Sequence, residues 1–189
     1  MAKKIIYPCS SGFDMKEVLD VVDAHDEIVG QADRSEAHQK SLLHRVVHVM
    51  VFEPDGKLFI QQRALSKDRY PGYWEGSLSG HVKNGETFKD AAERELHEEL
   101  NICAVPKRVK EVIKFGLHEG DERVLTELYA LKDFKGGIEL DKDEVKSGEF
   151  WTMKKLDEEI KAGKKLFHPL FLKALKEFRA MKETTKEYL

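Results

Sequence analysis

The stretch from Thr87 to Leu100 constrains this chain more than any other, because it reads as a helix whose core-facing side changes chemistry partway along. At about 100° per residue, Phe88, Ala91 and Ala92 fall on the same face as Glu95, Glu98 and Glu99. Thr87, with Asp90 three residues on, gives the helix a near capping box at its start. The first two turns of the face are apolar and suit burial. Its last turns carry three carboxylates, which repel one another unless something cationic lies between them. A divalent metal is the natural partner, and clustered oxygen ligands suit Mg²⁺ or Mn²⁺, which keep several waters and bridge to substrate phosphates. For glutamates taken alone, a solvated acidic face is the competing reading.

The string around the helix, GHVKNGETFKDAAERELHEELNI from Gly80 to Ile102, narrows the choice. It resembles the Nudix box, whose pattern is a glycine, five residues, a glutamate, seven residues, then Arg-Glu-apolar-x-Glu-Glu-x-Gly-apolar. The matching positions are Gly80, Glu86, Arg94, Glu95, Leu96, Glu98, Glu99 and Ile102. Asn101 stands where the family has glycine, and asparagine is the next most tolerant residue of the left-handed conformation that follows a helix end. The resemblance implies an α/β (α+β) fold, a three-layer α/β/α sandwich with a mixed central sheet. It also implies a Mg²⁺- or Mn²⁺-dependent hydrolase acting on a small-molecule diphosphate such as a nucleoside diphosphate derivative. Glu95, Glu98, Glu99 and the Gly80 carbonyl would hold the metal, and Arg94 would hold Glu95 in place. Asp143 and Glu144 lie in an acidic loop beyond the box, where family members often find a base or an extra ligand; Glu144 is the preferred residue, an ordinary loop acid the alternative.

Periodicity supports such a fold. Val18 to Asp23 and Ile28 to Ala32 flank a polar His25-Asp26-Glu27 as a small hairpin, leading into a helical turn capped near Ser35. Arg45 to Phe52 and Leu58 to Arg63 are strands on either side of a Pro54-Asp55-Gly56 turn, and Ser77 to Val82 is a short strand ending at Asn84-Gly85. Strands are expected again at Lys110 to Leu117 and Val124 to Leu131, and Gly136-Gly137 and an acidic loop, Asp141 to Glu144, precede Glu149-Phe150-Trp151. Met153 to Lys161, stopped by Gly163, and a last helix opening at Pro169 and running to about residue 187 complete the pattern; Leu170, Ala174, Phe178 and Met181 form one stripe of it. The expected organisation is a flexible stretch over residues 1–13, then one domain over 14–189.

From about Val18 to Trp151 the chain also looks like the Nudix branch that contains isopentenyl diphosphate isomerase, through HRVVHVMVF, QQRALSKDRYPGYW and LSGHVKNGE. In that branch, residues matching Arg63 and Lys67 contact the diphosphate, and their four-residue spacing lets two cations grip one dianion. An ordinary surface lysine is the alternative for Lys67. The isomerase needs a cysteine before the Gly-His of the box, and Ser79 stands there. His81 and His44 match its histidine ligands and His38 approximately so, while Glu127 retains one of its two glutamates and Leu125 replaces the other. A hydroxyl exchanges protons at neutral pH far less readily than a thiol, which weighs against double-bond isomerisation. His44 and His48 would share a face of their strand, either in a second metal site with His38 and His81 or as hydrogen-bonded residues of a polar cleft. Tyr70, Tyr73 and Trp74 are open to base stacking or to packing.

Bulk properties exclude some partners. Lys+Arg 32 against Asp+Glu 35 gives a formal charge of -3, so no global field draws in nucleic acid or acidic membranes. The two cysteines, Cys9 and Cys103, lie in unlike contexts and suit a reducing compartment. No run of about 18 apolar residues occurs and the start of the chain is too polar for a secretory core, so a cytoplasmic location is expected. The N-terminal hairpin would expose edge strands through which a homodimer could form.

Overall fold

A computed structural model describes residues 17–108 and 123–184. The expected loose N-terminus, the strand at Lys110 to Leu117 and the last residues of the C-terminal helix lie outside the described residues. Nine strands are described: β1 (Val18–Val22), β2 (Ile28–Asp33), β3 (His44–Val51), β4 (Leu58–Arg63), β5 (Trp74–Glu75), β6 (Leu78–His81), β7 (Lys107–Arg108), β8 (Val124–Leu131) and β9 (Val145–Trp151). Between them run helices α1 (Arg34–Gln39), α2 (Phe88–Leu100), α3 (Met153–Ala162) and α4 (Pro169–Thr184).

β3 organises the larger sheet. Its β-branched run pairs in parallel with β8 over its whole length, His44 opposite Val124 through Val51 opposite Leu131. Its other edge is shared by β6, antiparallel, and the end of β1. With β2 and β7 outside, the sheet is mixed. The Pro54-Asp55-Gly56 turn forms as expected, with Gly56 at φ +79, yet β3 and β4 share only the bridge between Phe52 and Leu58. Both edges of β3 are already occupied, so β4 joins β5 and β9 in a second, antiparallel sheet.

Alternation along β3 splits the core in two. Val47, Val49 and Val51 pack with Leu78, Val82 and the apolar turns of α2, namely Ala91, Ala92, Leu96 and Leu100. Val46 and Met50 pack on the opposite side with Val124, Leu128 and the α4 stripe of Leu170, Ala174 and Phe178. A fully buried leucine such as Leu96, at 0% exposure, contributes roughly 1.5–3 kcal/mol. Helices thus cover both faces, the three-layer α+β arrangement expected from the pattern.

Local signals hold with small shifts. Thr87 and Asp90 form a complete capping box, each side chain accepting the other's backbone N–H at 3.2 Å. Asn101 takes the left-handed conformation at φ 51 and closes α2. Helix α1 is capped by Asp33 and not near Ser35: the Asp33 carboxylate accepts Glu36 N–H at 2.8 Å, and the Ser35 hydroxyl donates to it at 2.7 Å. Asp20, buried on β1, accepts Asn84 Nδ2 at 2.7 Å and Gly85 N at 3.2 Å, which ties the turn before α2 to the neighbouring strand.

His48 and His168 are buried on the α4 side. Burial lowers His48 from its ordinary 6.5 to about 4. Burial, together with the charges of Arg63, His48 and Arg69, lowers His168 to about 3. Below pH 6.5 the unfolded chain takes up protons that the folded chain refuses until about pH 4, so stability present at neutral pH is lost on acidification. The His48 share amounts to about 3 kcal/mol. Urea midpoints should therefore fall steadily between pH 6.5 and 4, and His48→Gln should flatten that slope; an unaltered slope in the variant would contradict the assignment.

Candidate functional site

At the end of α2 the apolar face gives way to carboxylates, and an arginine lies among them. Arg94 donates from Nη1 to Glu95 at 2.6 Å and to Glu98 at 2.9 Å, and from Nε and Nη2 to the two oxygens of Glu86 at 2.7 and 2.9 Å. Its Nη2 also reaches the His81 carbonyl at 2.9 Å, which fixes α2 to β6. The planar fork of a guanidinium is what allows one side chain to span four acceptors. Against the cost of burial, Arg94 and the Lys83 N–H hold Glu86 below its usual range. Burial raises Glu95 to about 7 in spite of Arg94. Burial, then Glu95 and Glu75, push Glu99 well above the ordinary value.

Glu95 lies flat on Gly80. A Cβ at Gly80 would fall 2.2 Å from the Glu95 carboxyl carbon and 2.3 Å from its Oε1, so glycine alone gives the carboxylate this seat beside the β6 backbone. Glu99 is oriented from the second sheet, its Oε2 accepting Gln61 Nε2 at 2.9 Å. Glu98 is half exposed and faces Lys83, 3.9 Å away. The donor set is hard oxygen and two of its members, Glu95 and Glu99, are buried with raised pKa, a chemistry that suits a divalent cation, while the three carboxylates are not drawn together into one group here. Glu95, Glu98, Glu99 and Gly80 are the groups that would hold it.

The two cations expected to grip a diphosphate already have partners. Arg63 donates from Nη1 to buried Glu75 at 3.0 Å and from Nη2 to the Arg69 carbonyl at 3.2 Å. Lys67 pairs with Glu144, both partly exposed. Their loop is tied down elsewhere too, by Arg34 donating to both oxygens of Asp68 at 2.8 and 2.9 Å. Trp74 is taken up by packing, its ring 5.1 Å from that of Trp151, while Tyr70, at φ 49, sets its ring 4.2 Å from His168 and 5.2 Å from Tyr73.

On the opposite face of β3 and β6, histidines gather. His38, His44 and His81 each offer a ring nitrogen within 4.8 Å of the others, the one such group of His, Cys, Asp or Glu among the described residues. His48 shares the strand face of His44 yet stands outside this group. His38 and His81 meet Nε2 to Nε2 at 3.2 Å, and His38 Nδ1 and His44 Nε2 have no hydrogen-bond partner. Burial lowers His38 to about 3 and His44 to about 4, so both are neutral at pH 7. Glu17, unmarked by any motif, approaches His81 Nδ1 at 3.4 Å. The Glu127 match needs correction. In register with Val47, Glu127 projects to the α2 side and accepts the Tyr129 hydroxyl at 2.7 Å, so it stands apart from the histidines. Val124 and Thr126, opposite His44 and Val46, occupy the histidine side instead.

A carboxylate-bearing helix clamped by its own arginine against a glycine of a mixed sheet is the arrangement that the box around α2 implied. The NUDIX domain model matches residues 42–171, and the chain belongs to that family. Members generally use divalent metal ions. The chain is 33% identical over 144 residues to an uncharacterized Nudix hydrolase of Listeria monocytogenes, covering 75% of this chain and 83% of the relative. It is 39% identical over 99 residues, 52% of this chain, to isopentenyl-diphosphate Delta-isomerase 2 of Photorhabdus laumondii, of which the match spans only 56%. Among solved structures, the Deinococcus radiodurans protein DR0079 superposes with a TM-score of 0.71 at 27% identity, over 85% of this chain and 98% of that one. No helix among the described residues is long and apolar enough to cross a membrane.

The seat at Gly80 gives a direct test of this geometry. Gly80→Ala should lift Glu95 off β6 and weaken Mn²⁺ binding at the α2 site roughly tenfold or more, read by electron paramagnetic resonance on the folded variant; unchanged binding would show that Glu95 is not a ligand.

Proposed function

We propose that this protein hydrolyses a diphosphate linkage in a nucleoside diphosphate derivative or a related organic pyrophosphate, with Mg²⁺ or Mn²⁺ held by Glu95, Glu98, Glu99 and the Gly80 carbonyl. The observation that carries this reading is the Glu95 carboxylate seated on Gly80 and held there by Arg94. When bound, the cation supplies acidity to water and neutralises charge on phosphate oxygens. Arg94 keeps Glu95 and Glu98 in place, and Gln61 does the same for Glu99. Arg63 and Lys67 take the phosphates. Glu144 accepts the proton of the attacking water once substrate draws Lys67 away from it. With a residual charge of -3 overall, anion binding relies on these local groups.

Intact ligand positions weigh against a catalytically silent nucleotide-binding domain. Ser79, together with the absence of a β8 carboxylate beside the histidines, weighs against an isomerase of allylic diphosphates. A panel of nucleotides, nucleotide sugars, dinucleotides and isopentenyl diphosphate, assayed with Mg²⁺, should yield released phosphate or phosphate ester and no dimethylallyl diphosphate. Glu98→Gln should lower kcat at least a hundredfold on the compound turned over; wild-type rates in that variant would remove Glu98 from the ligand set.

The gathered histidines favour a second metal centre as part of the same reading. Neutral ring nitrogens without partners suit a transition metal better than Mg²⁺. Cobalt(II) titration should give the visible absorption of a low-coordinate site in the wild type and in Glu98→Gln, and lose it in His81→Ala; a spectrum indifferent to His81 would dismiss the centre.

A further inference from the structure

Gln61 and Glu75 face each other across the β4–β5 pair, and directly opposed residues project from one side of a sheet. Arg63, two positions along β4, projects from that side as well. With Gln61 bonded to Glu99 at 2.9 Å and Glu75 to Arg63 at 3.0 Å, the row Glu99, Gln61, Glu75, Arg63 joins the proposed metal end to the proposed phosphate end. Glu75 is 2% exposed and Gln61 1%. Three polar atoms of the row, Gln61 Oε1, Glu75 Oε2 and Arg63 Nε, have no hydrogen-bond partner.

A buried ion pair with unused hydrogen-bonding capacity is a poor device for stability, since apolar residues of the same volume often serve as well or better. Lys67 and Glu144 offer a contrast. Their side chains are 21% and 38% exposed, so either can change partners at little cost when a phosphate arrives. The Arg63 side chain is only 13% exposed and the Glu75 carboxylate is buried, and parting them would leave a bare charge out of water. The pair therefore stays together when substrate enters.

We infer that Glu75 is a positioning residue for the substrate's diphosphate: it pins the Arg63 guanidinium at the end of β4 so that the remaining N–H donors are ordered before a phosphate oxygen reaches them. The inference rests on the reading of this site as one that binds diphosphates. Preorganisation of this kind lowers the cost of binding without touching the reacting atoms, so its loss belongs in affinity and KM and leaves kcat nearly unchanged.

Calorimetry with methylenediphosphonate, an uncleavable diphosphate, in the presence of Mg²⁺ tests it. Glu75→Gln and Arg63→Gln should each weaken binding roughly tenfold, and the double variant should bind no worse than either single one, as expected for side chains that act as one unit. Mn²⁺ should still saturate the α2 carboxylates of Glu75→Gln, even though the charge facing Glu99 is gone, so that weaker diphosphonate binding measured at saturating metal does not come from an empty metal site. If Glu75→Gln fails to fold, Glu75→Asp keeps the charge but draws it back from Arg63, and weaker binding with a near-native urea midpoint gives the same answer. Undiminished affinity in the folded variant, or additive losses in the double one, would overturn the role of Glu75 while leaving the hydrolase reading intact. A wild type that neither binds the analogue nor cleaves any diphosphate of the panel would bring down both.

Discussion

The clamping of the acidic turns of α2 against the sheet leans on one guanidinium. Arg94 satisfies Glu86, Glu95, Glu98 and the His81 carbonyl at once, and in doing so attaches the acidic turns of α2 to β6. Without it, carboxylates forced together under a sheet would repel each other and lift the helix away. A lysine, with a single point charge, could not reach the same set of acceptors. The hydrophobic half of α2 supplies the holding force, and the arginine determines where the acidic half comes to rest.

The sheet decides what that helix meets. Because β3 is paired on both edges, β4 is turned out into a second sheet, and Gln61, Arg63 and Glu75 come to stand across from Glu99. Had β3 and β4 closed as an ordinary hairpin, that opposing wall would have been lost. The Pro54-Asp55-Gly56 turn fixes the reversal of the chain, whereas the pairing partners are fixed by strands far away in sequence.

That distinction explains what could be read from the residues alone. Helices showed themselves through caps and stripes: Thr87 with Asp90, Asn101, Gly163, and Leu170 with Ala174 and Phe178 all act where their local chemistry places them. The α2 carboxylates were legible because an acidic stretch on a core-facing stripe is a contradiction that demands a cation. Glu75, Gln61 and Glu17 were not, since nothing local separates them from ordinary polar residues; their partners, Arg63, Glu99 and His81, are brought to them only by the sheets. Glu127 failed for a related reason. Spacing along a motif cannot tell which side of a strand a residue faces, and the parallel register of β8 on β3 turned it away from the histidines. Serine is a favoured cap residue and so pointed to Ser35, but Asp33, two residues earlier at the end of β2, holds the helix.

Strand β6 is only four residues long, Leu78 to His81, and adjacent side chains on it serve opposite walls. Gly80 offers its bare surface to the acidic helix, while its neighbours Ser79 and His81 look toward the imidazoles. The thickness of one backbone separates two polar clusters of unlike chemistry, carboxylates around Arg94 on one side and imidazoles on the other. Either cluster can accumulate substitutions without redrawing its neighbour, provided the peptide between them keeps its frame. A slip of one position would exchange their linings altogether, setting an imidazole where a carboxylate needs an empty seat.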